Sequence, residues 1–417
     1  MSVESAPDAQ ILPTNDRPVT IIGAGVAGLA CAVRLHRAGV PVRVFEGSGR
    51  VGGRVGTELF EGFRLDFGFQ VLLDSYVELG GVLDIPALKL KAFEPGCILR
   101  RLGAFYPLFD PVRRPTAVTR MLGRRVGTWG DWLKIVGLRA RWVNRTTVRP
   151  DEFPGESVRD LLDREGFSQE IIEGFFRPFF SGVFLEYNLH TAACFFPFIF
   201  SRFSTGSATL PEEGMQAIPD QLAAALPRDS VLLEKMVVQF GSDEIIDSDG
   251  KKFDSAAVVD ARSIAAPDAG PAHSAAVHYC EIPSALPERR ALYVCSGDES
   301  NTHIIAPLSE VQPSYAPLGK HLIAVTCYPS KDGAHDVGRV VDDLSSWFGF
   351  RRESVRLVAS RVIPRALRQF NSGSDTVPNF AGGVYRIGDV TEYPSLDGAL
   401  RSARLVAEDI IRRSLVR

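Results

Sequence analysis

The sequence predicts an α/β fold: a Rossmann-like domain assembled from separated stretches of chain, with an α+β domain interleaved between them. Three observations carry this. A short apolar run, Val19-Thr-Ile-Ile22, leads straight into Gly23-Ala-Gly25-Val-Ala27-Gly28 and an alanine-rich helical stretch. A second apolar run, Pro41-Val-Arg-Val-Phe45, ends on an acid, Glu46. Near the other end, a strand-like segment, a Gly388-Asp389 turn and a long helical pattern close the chain.

The first run has a specific physical reading. After a strand, Gly23 permits the tight turn, Gly25 lets a pyrophosphate approach the backbone, and Gly28 lets helix and strand pack closely. The helix N-terminus then offers unpaired N–H groups and a favourable dipole to the phosphates. Glu46, at the end of the second strand, is the acid expected to hold the hydroxyls of an adenosine ribose. Strand, glycine turn, helix, strand and acid together point to a dinucleotide cofactor.

Composition narrows the class. A chain of 417 residues exceeds one ordinary core, so two domains are expected. Its 45% hydrophobic and 23% charged content is that of a soluble globular protein. A formal charge of -3 gives no global reason to expect nucleic acid as a partner. The six cysteines are scattered, with no CxxC pair and no histidine at zinc-ligand spacing, so neither a disulfide framework nor a metal site is indicated and a reducing compartment fits. Residues 1–17 read as a disordered leader without an apolar core, and no run reaches transmembrane length. A cytoplasmic or peripheral membrane location is expected.

Further along, 89–205 reads as mainly helical and rich in Phe, Arg and Pro. β-rich runs follow at 231–240, 256–259 and 278–328, then a helical stretch at 337–348 and a final helix at about 398–415.

Four later motifs choose among cofactors. Arg50-Val-Gly52-Gly53-Arg54 resembles the R-x-G-G-R signature of the flavin-containing amine oxidase superfamily, which includes protoporphyrinogen oxidases and phytoene desaturase-like enzymes. Two adjacent glycines let the chain pass close to a cofactor, and the arginines can satisfy phosphate charge. The resemblance implies that Gly68-Phe69-Gln70 lies near the flavin ring and that the backbone of Val237 contacts adenine. Pro211-Glu-Glu-Gly-Met215 resembles the family's P-x-G-G-M segment, with Glu213 where a first glycine is usual. Gly388-Asp389 and the helix opening around Leu396 to Gly398 resemble the C-terminal flavin motif, Asp389 serving the ribityl or pyrophosphate region. A helix N-terminus suits the pyrimidine edge, where reduction places negative charge. No cysteine accompanies that motif, so the resemblance implies FAD held non-covalently.

The implied domains are an FAD-binding domain of 18–90, 206–265 and 369–417, and a substrate domain of 91–205 and 266–368. The expected function is that of an FAD-dependent oxidoreductase that oxidises, desaturates or isomerises a hydrophobic small molecule. The alternative is a flavoprotein whose FAD is structural and which acts as a binding or assembly factor. No catalytic residue can be named, because the flavin itself takes the hydride. The aromatic runs Phe175–Phe180 and Phe195–Phe200 read either as core or as pocket wall, and Arg177 among them as ion-paired or substrate-facing. His190, His303 and His321 read as structural.

One stretch suggests a membrane surface. Between Arg100 and Arg149 lie about twelve arginines or lysines, among them Arg113, Arg114, Arg124, Arg125, Arg139, Arg141 and Arg145, against Asp110 and Asp131. Trp129, Trp132, Leu133, Ile135, Val136, Leu138 and Trp142 are interleaved with them at helical spacing. Either the apolar face docks on anionic lipid, or it packs inward and the arginines are merely solvated.

Overall fold

A computed structural model describes residues 13–14, 16–117, 126–262, 269–295, 302–327, 337–371 and 379–415. Most of the leader, and Arg124 and Arg125, lie outside the described residues.

The first sheet forms around β1 (Val19–Ile22), which is buried along its whole length. It leads into α1 (Val26–Arg37), and β2 (Val42–Phe45) returns parallel to β1. The sheet runs in the order Val231–Leu232, β2, β1, Ala257–Asp260, Val384–Arg386, Phe380–Ala381. Its members thus come from three distant parts of the chain. α1 is buried on nearly every side, and its small residues Ala27, Gly28, Ala30 and Ala32 allow it to fit between the sheet and the C-terminal helix Leu396–Leu415.

A second, seven-stranded sheet runs Arg356–Arg368, Ala272–Ile282, His321–Cys327, Thr302–Ala306, Leu292–Cys295, Gly96–Arg101, Ala104–Phe109. Its central strands alternate. Val277, Tyr279, Leu322 and Ala324 face an aromatic helical core, whereas Ala276, Cys280, Ile323 and Val325 face the Val337–Phe348 helix. The helical core is filled by phenylalanines of both aromatic runs, including Phe176, Phe180, Phe195, Phe196 and Phe198.

The stretch expected to be mainly helical therefore opens with a hairpin. Leu102 and Gly103 both take positive φ at its tip, the geometry a two-residue turn between twisted strands requires. The Arg356–Arg368 strand is likewise absent from the sequence reading. Among the described residues it pairs only with Ala272–Ile282, so it is an edge, where Pro364 and four arginines are tolerated. A small sheet of Leu72–Leu73, Ala208–Leu210 and Lys91–Ala92 ties the two halves together.

Candidate cofactor and substrate site

The glycine loop closes β1 onto α1. A Cβ on Gly28 would lie 2.0 Å from the carbonyl oxygen of Gly23 and 3.2 Å from Ala261 Cβ, so only glycine fits where helix and strand touch. Gly25 is different: nothing lies within 4 Å of a Cβ placed there. That open space sits at the α1 N-terminus, which has no side-chain cap and no acid in its first turn. Ala27, one residue before Gly28, is buried in the helix.

Glu46 is already oriented. Its Oε2 accepts from the Ala24 N–H at 2.8 Å, and its Oε1 from the Ser48 N–H at 2.9 Å and hydroxyl at 2.8 Å. Its carbonyl accepts from the Lys235 N–H at 2.8 Å, which brings Val237, at the start of the Val237–Phe240 strand, alongside.

The double glycine lies against this loop, the Gly52 N–H donating to the Ala24 carbonyl at 2.8 Å. Arg50 braces it from within. Its guanidinium lies 4.2 Å from the centre of the Phe67 ring and donates to the carbonyls of Val51 at 3.0 Å and Gly53 at 2.5 Å. Arg54 reaches outward and donates to Asp389 Oδ1 at 2.8 Å, so the first and last motifs meet across 335 residues.

Next comes the loop Gly68-Phe69-Gln70. Gln70 Nε2 donates to the Arg54 carbonyl at 3.0 Å, while its Oε1 is buried and has no partner. The loop hangs from Asp66, whose carboxylate accepts from Thr57 Oγ1 at 2.5 Å, the Met215 N–H at 3.1 Å and the Tyr315 hydroxyl at 3.0 Å. The Tyr279 hydroxyl donates to the Asp66 carbonyl at 2.8 Å. Burial pushes the Asp66 carboxyl up to about 6 despite these donors. Sequence reasoning missed Tyr279 and Tyr315, since no local pattern marks them.

At the far end, Gly388 takes a φ of 126° and donates its N–H to Ser402 Oγ at 2.8 Å. Leu396 begins the final helix, and a Cβ on Gly398 would lie 2.2 Å from the Tyr393 carbonyl oxygen. Asp397 turns inward to the Glu78 N–H and the Tyr393 hydroxyl, and burial raises its carboxyl above the usual range.

These features fit FAD. The open tract over Gly25 and the helix N-terminus suit a pyrophosphate, the oriented Glu46 carboxylate a ribose, and the unpartnered Gln70 oxygen an N–H of a polar ring edge.

Beyond the loop, Phe69 meets Phe93 edge-on, ring centres 6.3 Å apart, and Phe93 belongs to the wall of a cavity of about 340 Å³. Phe175, Phe179, Phe203 and Trp132 line it, so the aromatic runs serve as both core and wall. Arg177 is not in that wall; it pairs with Glu173 at 2.8 Å and lies 5.0 Å from the Tyr187 ring centre. His321 Nδ1 lies 2.6 Å from Glu310, and burial pushes the His303 imidazole down to about 3. Among the described residues, no group of three or more His, Cys, Asp and Glu could hold a metal ion.

The Trp129–Trp142 helix divides its apolar residues. Trp132, Ile135, Leu138 and Trp142 pack inward, while Trp129, Leu133 and Val136 are exposed. The arginines in and just after it are not merely solvated: Arg139 pairs with Asp110, Arg141 with Glu165 and Arg145 with Glu152.

Comparison with known proteins agrees with this geometry. Over 182 residues the chain is 29% identical to protoporphyrinogen oxidase 2 of Arabidopsis thaliana, covering 44% of this chain and 35% of that protein. Over 93 residues it is 39% identical to a phytoene desaturase of Cercospora nicotianae, covering 21% and 15%. The matched segments thus span about a third or less of these relatives. Among solved structures, an oxidoreductase from Methanosarcina mazei matches with a TM-score of 0.74 at 18% identity, over 94% of this chain and all of that one. A putrescine oxidase variant matches with a TM-score of 0.69 at 16% identity, over 95% and 99%. The profile of the family described as flavin containing amine oxidoreductase matches residues 26–273, more than half of the chain. With its two end motifs joined at Arg54 and Asp389, this chain belongs to the flavin containing amine oxidoreductase family, and its cofactor is FAD.

Proposed function

We propose that the protein is an FAD-dependent oxidoreductase acting on an apolar small molecule, by oxidation, desaturation or isomerisation. The observation that carries this reading is the large aromatic cavity one ring layer from the loop of Gly68 to Gln70. Bound FAD would supply a hydride acceptor. The chain's own residues position and enclose. Glu46 and the Gly25 tract hold the adenosine and pyrophosphate, Arg54 and Asp389 lock the loops together, and the N-terminus of the final helix stabilises negative charge at the ring edge. Phe69 and Phe93 keep water from the approach. The names of relatives, a protoporphyrinogen oxidase and a phytoene desaturase, support a large unsaturated substrate. The test is anaerobic mixing of the FAD-loaded protein with candidate polyenes, tetrapyrroles and amines while the flavin absorbance is followed. Bleaching by an apolar candidate supports the reading. A flavin that stays oxidised with all of them would favour structural FAD in a binding or assembly factor.

A second reading, contact with a membrane surface, rests on Trp129, Leu133 and Val136, which stand exposed at i, i+4 and i+7 beside the cavity mouth. No helix among the described residues is long and apolar enough to cross a membrane, so the contact would be peripheral. Because Arg139, Arg141 and Arg145 are already paired, apolar insertion carries it more than charge does. In liposome co-sedimentation, Trp129→Ser with Leu133→Ser should release the protein, and salt should matter less than that change. A wild type that stays in the supernatant at low ionic strength would end the proposal.

A further inference from the structure

We infer that the cavity beneath the Trp129–Trp142 helix binds an uncharged hydrocarbon chain, of isoprenoid or acyl type, and discriminates against carboxylated and cationic molecules. This rests on the oxidoreductase reading and names the substrate class for it.

The wall decides the matter. Its charged side chains are all engaged within the protein: Glu94 by Arg114 at 3.6 Å, Asp110 by Arg139 at 2.6 Å, and Arg139 also by the Ser204 carbonyl at 2.8 Å. Arg113 donates to the Gly206 carbonyl at 2.5 Å and to Ser207 Oγ at 2.7 Å. What remains is carbon, from Phe175, Phe179, Phe203, Trp132, Ile135 and Leu108. A ligand carboxylate or ammonium entering here would break one of these pairs or lie unpaired in an apolar space, and either outcome is strongly unfavourable. A hydrocarbon loses nothing by entering. The cavity's volume lies in the range of small-molecule sites. Its mouth is framed by Val112, Trp129 and Val136, all exposed and apolar, and its inner wall by Phe93, the ring that abuts Phe69. An extended chain therefore enters between exposed apolar groups and ends one aromatic layer from the flavin loop.

The experiment is equilibrium binding to the FAD-loaded protein without turnover, read by energy transfer from Trp129 and Trp132 to a bound polyene. The probe is all-trans-retinol, compared with retinoate and putrescine. Retinol should bind at least tenfold more tightly than retinoate, and putrescine should not displace it. Val136→Arg at the mouth should weaken retinol at least tenfold while FAD content is unchanged; Val112→Arg serves if that variant loses FAD. Equal binding of retinol and retinoate, transfer that is undiminished when both tryptophans are replaced by phenylalanine, or full affinity in a mouth variant would each overturn the assignment. Because no redox step is read here, retinol binding as expected, together with a flavin that stays oxidised with every candidate of the anaerobic screen, would sink the oxidoreductase reading alone.

Discussion

Glu46 shows how one side chain joins strand geometry to ligand selection. Its carboxylate is held from both sides by Ala24 and Ser48, so it would meet a ribose without first losing rotamer freedom. Glu46→Ala should weaken FAD binding by about 1.5–3 kcal/mol, the range for hydrogen bonds to a charged group, or roughly ten- to a hundredfold. Titration calorimetry on the folded variant checks this, and unchanged affinity would move the ribose contact elsewhere. Gly25→Trp should be worse, since its side chain would fill the one open tract of the loop. These residues were legible because each requirement is local: a turn, a close approach and an acid at a strand end lie within a few positions of one another. Arg50 was legible only as a charge. Its stacking on Phe67 depends on how the loop folds back, which spacing alone does not encode.

At the next scale up, the Trp129–Trp142 helix begins with a reciprocal cap. Thr128 accepts from the Asp131 N–H, and Asp131 accepts from Thr128 in return. Asp131 also accepts from the N–H and hydroxyl of Ser168, so it ties this helix to the next segment. Burial pushes its carboxyl up, but the bonds from Ser168 and Thr128 prevail and hold it down at about 2. The stability it contributes is therefore present above the ordinary carboxyl range and lost as pH falls from about 4 towards 2. Asp131→Asn should cost about 2 kcal/mol at neutral pH and nearly nothing at pH 2, a size set by the depth of that window and by the usual worth of a helix cap. Urea titrations at both pH values decide it, and an equal cost at both would refute the assignment. Elements with a strong period, such as α1 and the Val337–Phe348 helix, could be read from sequence. The Gly96–Phe109 hairpin could not, because short strands dense in Phe and Arg carry no period that separates them from helix.

In the molecule as a whole, Asp66 is a joint between distant parts of the chain. Its own strand Phe63–Asp66 precedes the loop of Gly68 to Gln70, while Tyr279 and Tyr315 reach it across 213 and 249 residues. Its folded carboxyl, raised to about 6, binds a proton more tightly than the unfolded chain does. Stability from that proton is complete below about 4 and is lost as pH rises through about 6. Wild type should lose about 2–3 kcal/mol relative to Asp66→Asn across that window, at roughly 1.4 kcal/mol for each pH unit between the unfolded and folded values. Parallel pH profiles of thermal stability in the two proteins would show that the joint does not titrate. Such long-range partners are where sequence reading ends: the Gly-rich turn and the Gly388-Asp389 turn could each be seen, but not the salt bridge that unites them. That bridge has a consequence for synthesis. Arg54 leaves the ribosome 335 residues before Asp389, which at about 5–20 residues per second is roughly 20–70 s. During that interval the Ala257–Asp260 strand beside β1 lacks its Val384–Arg386 neighbour, and α1 lacks the C-terminal helix that covers it. The nascent chain must keep an apolar, half-built nucleotide domain from aggregating until its last segment arrives, so truncation before Asp389 should yield a chaperone client rather than a smaller flavoprotein.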